Sequence, residues 1–429
     1  FAGWGGGGEE SSPASRLPLL LQMQHKSGAD VRLIQRSSFS YSAGHPFFEY
    51  LVVVSLKKDI KGNYEPKITY QFPKRENLLR GQREEEERLL QAIPLFCFPN
   101  GNEWAPLMDK VVGLSYERQG YPNPSGRDPR LPEVYCIVSC LGCFGLFSKI
   151  LDEVEKRRQI SAAVVYPFMQ GLRESPFPAP GRTVTIKSFI PESGTEQIEL
   201  TRPLDSHLEH VEFQALLKCL SPEKILLIFA SVVLERRIVF LADELSSLST
   251  CIHSAAALLY PFTWAHTYIP VVPEKLLSTV CCPTPFMVGI QKRYLAEVLD
   301  QPMEEVQSLL ICNNCEMLHS LPTMNNNIQT SEEFNTQVSD TFIQFFVKMI
   351  GHYPAHIKWS RNGTGSFQEQ SFCKAITSKT NRRFVKKFVK TQMFSLFIQE
   401  AEKSKKCIEG YFQQKLNEYQ EEKKHRRLS

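Results

Sequence analysis

Hydrophobic positions in the first third of the chain alternate between strand-like and helix-like spacing. The run FFEYLVVVSLKK, which begins at Phe47, predicts a buried strand that ends in lysines. YEPKITYQF follows and alternates as a half-buried strand does. Helical, strand-like and helical patterns then come in order at Arg83–Ala92, Val134–Cys140 and Gly145–Gln159. This order predicts a small α/β module over residues 45–170.

The middle of the chain predicts a second α/β lobe over residues 207–303. Ser221-Pro222-Glu223 is a helix start, with serine at the N-cap and proline at the first helical position, and the following KILLIFASVVLE is apolar all round, which predicts a buried helix. From Leu234 to Ile290 the pattern is strand, helix, strand, short helix and strand. That order is typical of a parallel sheet.

The remaining segments are predicted to connect these lobes or to extend beyond them. Helical spacing in QFFVKMIGHY, QSFCKAI and RRFVKKFVKTQMFSLFIQEA predicts a helical region over residues 331–419. Proline, glycine or asparagine enrichment, or a run of charge, predicts irregular structure elsewhere. These segments are a flexible leader over 1–44, a linker over 171–206, an irregular segment over 304–330 and a charged tail over 420–429.

Composition excludes several classes of protein. The 429 residues carry a formal charge of +4, which predicts no strong field toward nucleic acid. Twelve cysteines lie largely in apolar runs, as expected in a reducing compartment, so a cytoplasmic location is the default expectation. The pairs Cys140–Cys143 and Cys312–Cys315 each lack a second ligand pair at zinc-finger spacing. No apolar run reaches the roughly 18 residues that a spanning helix needs.

No set of residues predicts an enzyme. No strand of the central lobe enters a phosphate-binding loop or a nucleophile elbow, and no metal, cofactor or small-molecule substrate is expected. His207-Leu-Glu-His210 offers two potential ligands without a third, and a polar linker is the favoured interpretation. Asp243 and Glu244 follow a strand, where they could hold magnesium or serve as acid and base; capping of the next helix or lining of a polar loop is favoured.

Two surface hypotheses have alternatives that the sequence leaves open. A basic helix within KTNRRFVKKFVK could lie on anionic lipid, or it could dock by its apolar face and leave its charges in solvent. The run begins with Lys379, and the basic residues proposed for the lipid contact are Arg382, Arg383, Lys386, Lys387 and Lys390. The segment Tyr260–Pro270 is rich in aromatic residues and proline, and it could anchor a partner or belong to the core.

Long runs of the chain resemble the DENN domain family. LERRIVFLA, LLYPFTWAHTYIPVVP and CPTPFMVGI are similar to its central part, and FFEYLVVVSL, IPLFCFPNG and VYCIVSC resemble its upstream, longin-like part. FIQFFVKMIGHY and FCKAITSKTNRRFVKKFVKTQMFSLFIQEAEKSK resemble its downstream helical part. The likeness covers most of residues 45–415 and is strongest to the second group of the family. It implies a tripartite α/β architecture, with a longin-like module, a central parallel-sheet lobe and a C-terminal helical region.

The resemblance implies a guanine-nucleotide exchange factor for a Rab GTPase, with the late-endosomal Rab nine subfamily as the expected partner. Such domains hold the GTPase between the longin module and the central lobe, and they work by binding rather than by bond chemistry. Recruitment to endosomal or other trafficking membranes would be peripheral. On this basis, we expect the GTPase contact at Tyr260, Trp264, His266, Tyr268, Pro283, Pro285 and Phe286.

Two departures from the family pattern leave an alternative function open. After Trp104 the family has a longin hairpin, where this chain has DKVVGLSYERQGYPNPSGRDPR and only Lys110–Tyr116 could form a strand. The altered segments span 105–130 and 304–330. The loss of a strand would expose a sheet edge, so the chain could instead be an exchange-inactive Rab-binding or scaffold protein.

Overall fold

The fold is known from a computed structural model, which describes residues 2–5, 46–58, 60, 63–75, 80–99, 133–139, 143–191, 194–205, 211–302, 308–311, 330–403 and 410–428. Its residues fall into two compact units. The amino-terminal unit lies within 1–21, 42–206 and 271–278, and the carboxy-terminal unit within 22–41, 207–270 and 279–429.

A four-stranded antiparallel sheet forms the centre of the amino-terminal unit. Its strand order is β1-β4-β2-β3, and buried residues of β2 and β4 pack against the helix that follows β3. The elements are β1 Ala2–Gly5, β2 Tyr50–Lys58, β3 Tyr64–Phe72, α1 Arg80–Cys97, β4 Glu133–Val138, α2 Phe144–Ile160, α3 Ala162–Glu174, β5 Thr183–Ile190 and β6 Gly194–Thr201. The predicted order of strand, strand, helix, strand and helix is confirmed for β2 to α2.

Strand β1 corrects part of the prediction for the leader. Ala2–Gly5 pairs antiparallel with Glu133–Cys136 of β4, so these four residues are a strand and not irregular chain. Backbone groups at a sheet edge accept any extended segment whose register fits, and side-chain patterns do not reveal such pairing. The rest of the predicted leader up to residue 44 lies outside the described residues.

The predicted linker over 171–206 is wrong, because residues 183–201 form the hairpin of β5 and β6. Arg157 of α2 joins this hairpin to the helices. Its side chain is fully buried, its Nε donates to Ser188 Oγ at 3.2 Å, and its guanidinium lies 4.4 Å from the centre of the Phe168 ring. The carboxylates of Glu153 and Glu196 supply the negative charge, and Glu196 Oε2 lies 3.5 Å from Arg157 Nη2. The hairpin is therefore part of the amino-terminal unit.

A four-stranded parallel sheet forms the centre of the carboxy-terminal unit, in the order β10-β7-β9-β8. Its helices and strands are α4 Phe213–Cys219, α5 Pro222–Val233, β7 Ile238–Ala242, α6 Leu245–Ala257, β8 Thr267–Ile269, β9 Phe286–Gln291, α7 Leu295–Leu299 and β10 Ser308–Ile311. Between β8 and β9 the chain forms a 3-10 helix, Glu274–Cys281, whose residues 274–278 are counted with the amino-terminal unit. The parallel sheet and the element order predicted for Leu234–Ile290 are confirmed.

Two predictions for this lobe need correction. Ser308–Ile311 was expected to be irregular, but this apolar run pairs with β7 as the edge strand β10. The helix α5 was expected to be buried all round, but Leu226 and Leu227 are 60% and 51% exposed. A continuous apolar run does not show which side of a helix the neighbouring elements cover.

The C-terminal helical region belongs to the same compact unit as the parallel sheet. Its elements are α8 Ser331–Ile350, β11 Ile357–Trp359, β12 Gly365–Phe367, α9 Glu369–Lys374, α10 Lys379–Phe388, α11 Gln392–Lys403 and α12 Tyr411–Leu428. The predicted helices are confirmed, and α8 begins with a reciprocal capping box between Thr330 and Glu333. The predicted charged tail is helical as far as Leu428, and residues 420–425 are exposed. Within the described ranges, no helix is both long and apolar enough to cross a membrane.

Candidate functional site

The structure brings the two predicted contact segments together at one edge of the parallel sheet. Thr267, the first residue of β8, pairs with Phe286, the first residue of β9, and the two strands are parallel. His266 and Pro285, which immediately precede these residues, therefore lie at the same edge of the sheet. Glu235 precedes β7 of the same sheet. We call this region, from Glu235 and His266 to Pro283 and Pro285, the amino edge.

Four of the seven predicted contact residues lie in the interior. Tyr260, Trp264 and Tyr268 are each 4% exposed and Phe286 is 0% exposed. Trp264 Nε1 donates to the Thr267 carbonyl at 3.1 Å, and burial raises the pKa of Tyr268 above its usual value. These four side chains therefore pack in the interior of this chain, and their contact with a partner stays a prediction.

The neighbouring Phe262 shows why the aromatic segment is internal. Its ring lies 4.9 Å from that of Phe346 in α8, 5.0 Å from Phe388 in α10 and 4.9 Å from Phe397 in α11. Edge-to-face aromatic pairs at such distances add to the energy of burial. The Tyr260 hydroxyl accepts a hydrogen bond from the Phe412 amide at 3.1 Å, which fixes the start of α12. The segment therefore attaches the helical region to the parallel sheet.

The other three predicted residues reach the surface. Pro283 is exposed, and Pro285 and His266 are half-buried. Arg236, which the sequence analysis did not select, is exposed beside them at the start of β7. A partner at the amino edge would meet proline rings, an imidazole and a guanidinium.

Glu235 is a structural residue of this edge that the sequence analysis missed. Its carboxylate accepts hydrogen bonds from the backbone amides of Gln392 and Met393 at 2.9 and 2.8 Å. Thr391 Oγ1 accepts from the Phe394 amide at 3.3 Å, so the first three amides of α11 are all satisfied. The sequence feature that could have revealed Glu235 is the charged run LERR, which lies between an apolar helix and a buried strand.

The backbone of Glu235 is unusual. Its φ is 50°, in the left-handed region that residues with a Cβ enter at a cost of about 1–2 kcal/mol. The Nε2 of His266 lies 3.1 Å from Glu235 Oε2 without hydrogen-bond geometry, and the His266 ring packs edge-on against Trp264 at 5.4 Å. Strained residues that the surrounding structure holds in place are frequent at functional sites.

The opposite edge of the same sheet supports the structural interpretation of Asp243 and Glu244. Both are exposed, and Glu244 is the N-cap residue of α6 without a capping hydrogen bond from its side chain. The Asp243 carbonyl accepts from Gln291 Nε2 at 3.3 Å, as in a polar loop. In the part of the chain that the structure describes, no three His, Cys, Asp or Glu residues form a metal-binding group.

The basic helix docks through its apolar face. Val385 and Phe388 of α10 are completely buried. Arg382 donates to the Ile376 carbonyl and Lys390 pairs with Glu369 at 2.8 Å, whereas Arg383, Lys386 and Lys387 are exposed. The apolar side of this helix is therefore not available to insert into lipid.

Some predictions lie outside the described residues. These are the His207–His210 motif, three of the four cysteines of the two paired motifs (Cys140, Cys312 and Cys315), Trp104 and the segment Lys110–Tyr116. Residues 105–130 and most of 304–330 also lie outside the described residues.

Family profiles match three successive parts of the chain. The uDENN domain matches residues 66–138, the DENN (AEX-3) domain matches 130–314 and the dDENN domain matches 367–416. The mouse DENN domain-containing protein 2D is 61% identical over 450 aligned positions that cover 96% of each chain. The human protein 2D is 63% identical, with 92% of this chain and 91% of the relative covered. The human protein 2B is 45% identical, with 87% of this chain and 36% of the relative covered. This chain belongs to the DENN domain-containing proteins, within their second group.

Proposed function

We propose that the protein is a guanine-nucleotide exchange factor that promotes release of GDP from a Rab GTPase. DENN domain proteins are in general exchange factors for Rab GTPases, and this chain carries the upstream, central and downstream segments in order. That order is the observation on which the proposal rests. The late-endosomal Rab nine subfamily is the partner we propose within this class.

The energetics of exchange agree with a surface that binds and has no reactive group. If a GTPase holds its nucleotide at about 1 pM, contacts to the emptied state must offset about 16 kcal/mol. Such contacts need shaped surface and no general base. In the described part of the carboxy-terminal unit, the amino edge offers such a surface, with Pro283, Pro285, His266 and Arg236 accessible.

An exchange-inactive Rab-binding protein is the second candidate, and one observation favours it. The alignment with the mouse relative spans 450 positions, more than the 429 residues of this chain, so the relative has residues without a counterpart here. Missing residues in the upstream module could remove exchange while the central lobe still folds and binds.

The deciding experiment measures release of fluorescent GDP from a panel of Rab GTPases, with binding of each nucleotide-free Rab measured in parallel. An exchange factor accelerates release from at least one Rab. Release at the no-protein rate from every Rab, together with retained binding, would establish the inactive binding protein. Absence of both release and binding would contradict both candidates.

Two exposed substitutions at opposite edges of the parallel sheet then locate the contact. Pro283→Asp places a charge at the amino edge, and we expect it to lower kcat/KM for exchange by about tenfold or more, because an unpaired charge at an interface is unfavourable. Asp243→Lys changes charge at the other edge and should leave exchange unchanged. Both sites are exposed, so the melting temperature should stay at the wild-type value. Equal effects of the two variants would rule out the amino edge.

We also propose that peripheral recruitment to endosomal or trafficking membranes uses the exposed charges of Arg383, Lys386 and Lys387. Each basic group near an anionic surface contributes about 1 kcal/mol. Lys386→Glu with Lys387→Glu should therefore reduce flotation with phosphatidylserine vesicles and leave flotation with neutral vesicles unchanged. Unaltered flotation with both vesicle types would contradict a role for this helix.

A further inference from the structure

Two pairs of thiols lie within hydrogen-bonding reach of each other in the described structure, one in each compact unit. Cys97 at the end of α1 is hydrogen-bonded to Cys136 of β4. Cys219 at the end of α4 is hydrogen-bonded to Cys251 of α6. All four cysteines lie outside any disulfide. Neither pair takes part in the proposed exchange function.

The two pairs differ in their access to solvent. Cys97 and Cys136 are each 1% exposed, so both sulfur atoms are sealed within the core of the amino-terminal unit. Cys251 is 0% exposed, but Cys219 is only partly buried and its neighbour Lys218 is exposed. Cys219 is therefore the residue of the two pairs that is most open to solvent.

We propose that Cys219 is a modification site for hydroperoxides and that Cys251 is the thiol that resolves it. The pair has the arrangement of redox-sensing cysteines, in which an accessible thiolate lies beside a second thiol. The product is a disulfide that joins α4 to α6.

The chemistry balances in two steps. The Cys219 thiolate attacks one oxygen of the hydroperoxide, the O–O bond breaks, and alkoxide or hydroxide leaves with the electron pair. The sulfenic acid on Cys219 is then attacked by the Cys251 sulfur, which loses its proton, and water leaves as the S–S bond forms. The two cysteines are oxidised and the hydroperoxide is reduced.

The electrostatic setting of Cys219 supports this assignment. The hydrogen bond from Cys251 and the charge of Lys218 lower the pKa of Cys219 to about 7. Near neutral pH, about half of its population is thiolate, an order of magnitude more than for an ordinary thiol. Because the thiolate is the nucleophile, the reaction should accelerate as the pH rises toward 7 and level off above it.

Cys136 is the internal control for access. Its hydrogen bond with Cys97 likewise lowers its pKa to about 7, so each pair contains one thiol whose pKa is lowered by its partner. The two pairs differ in burial, because both members of the Cys97 pair are sealed and Cys219 is only partly buried. If activation alone determined reactivity, both pairs would oxidise together; if access determines it, only the pair of Cys219 and Cys251 reacts in the folded protein.

The test treats the folded full-length chain with hydrogen peroxide, blocks the remaining thiols, and maps the peptides without reduction. We expect a linked peptide pair containing Cys219 and Cys251, with Cys97 and Cys136 still reduced. In urea, Cys97 and Cys136 should react as well. A reduced Cys219 in protein whose Cys97 is already oxidised, or a bond from Cys219 to any other cysteine, would overturn the proposal.

Variants separate the roles of the two thiols. In Cys251→Ala, the sulfenic acid on Cys219 has no resolving thiol, and labelling by dimedone should rise at least about tenfold above the wild type. Equal dimedone labelling in both proteins would exclude the resolving role. In Cys219→Ser, Cys251 should remain reduced, and its oxidation there would exclude Cys219 as the primary site. The peptide map of the wild type decides the outcome should Cys251→Ala fold poorly.

Discussion

The two compact units both bury a charged side chain at a junction between elements, but they satisfy that charge in different ways. Arg157 in the amino-terminal unit directs its donors to the side chains and one carbonyl of residues from α2, β5 and β6. Glu235 in the carboxy-terminal unit accepts from two backbone amides of one helix. The cation is held by side chains that mutation can remove, whereas the anion is held by backbone that mutation leaves in place.

This difference determines what each substitution leaves behind. Removal of Arg157 leaves two carboxylates, on Glu153 and Glu196, which are 25% and 28% exposed and partly open to water. Removal of the Glu235 carboxylate leaves two amide donors at the start of α11, which need other acceptors. Comparison of the two sites therefore separates the cost of a lost buried cation from the cost of uncapped amides.

The largest effect is expected for Arg157→Met. The methionine keeps apolar volume beside Phe168 but leaves Glu153 and Glu196 without their shared cation, and this should lower the free energy of unfolding by about 3 kcal/mol. Arg158→Met is the matched control, since Arg158 is 34% exposed and pairs with Glu133 at the surface; it should cost about 1 kcal/mol or less. Urea denaturation measures both. Equal losses would show that burial of Arg157 adds nothing.

A smaller effect on stability is expected at Glu235, where two substitutions separate the loss of the helix cap from the strain of the backbone. Glu235→Ala removes the carboxylate that caps α11 and should cost about 2 kcal/mol. Glu235→Gly removes the same carboxylate but tolerates the positive φ, so it should be more stable than the alanine variant by about 1 kcal/mol. Thermal and urea unfolding of the pair provide the test. An alanine variant as stable as the glycine variant would refute stored strain at this residue.

The smallest effect is expected for Ser188→Ala, which deletes one acceptor of Arg157. Ser188 is 4% exposed, and loss of this buried hydrogen bond should cost about 1 kcal/mol. The cost should largely disappear when Arg157 is already methionine, because the two residues share one interaction. A double-mutant cycle measures the coupling. Additive losses would mean that the two side chains act independently.

Elements whose burial depends on their own chain neighbours were predictable from the sequence. The continuous apolar run of β2 and the alternation of β3 reproduce their observed burial, and the order from β7 to β9 required only helix and strand periods. The hairpin of β5 and β6 was not recognised, because prolines before it suggested a linker and its partner Arg157 lies about 30 residues earlier in the chain.

The candidate site was predictable in position but not in exposure. Parallel pairing of β8 with β9 could be inferred from element order, and it places the segments of His266 and Pro285 side by side. Around Phe262, the burial of the aromatic segment depends on phenylalanines of helices about 80–140 residues later, and local pattern carries no information about such distant packing.

The packing of Phe262 bears on how the molecule can be divided. The DENN match ends at residue 314, before every helix whose aromatic rings surround Phe262. A fragment cut at that boundary would expose this ring to water and leave the Tyr260 hydroxyl without the amide of Phe412. The central and downstream segments carry separate domain names, yet they share one interior. A fragment that is to keep this interior must therefore contain both segments.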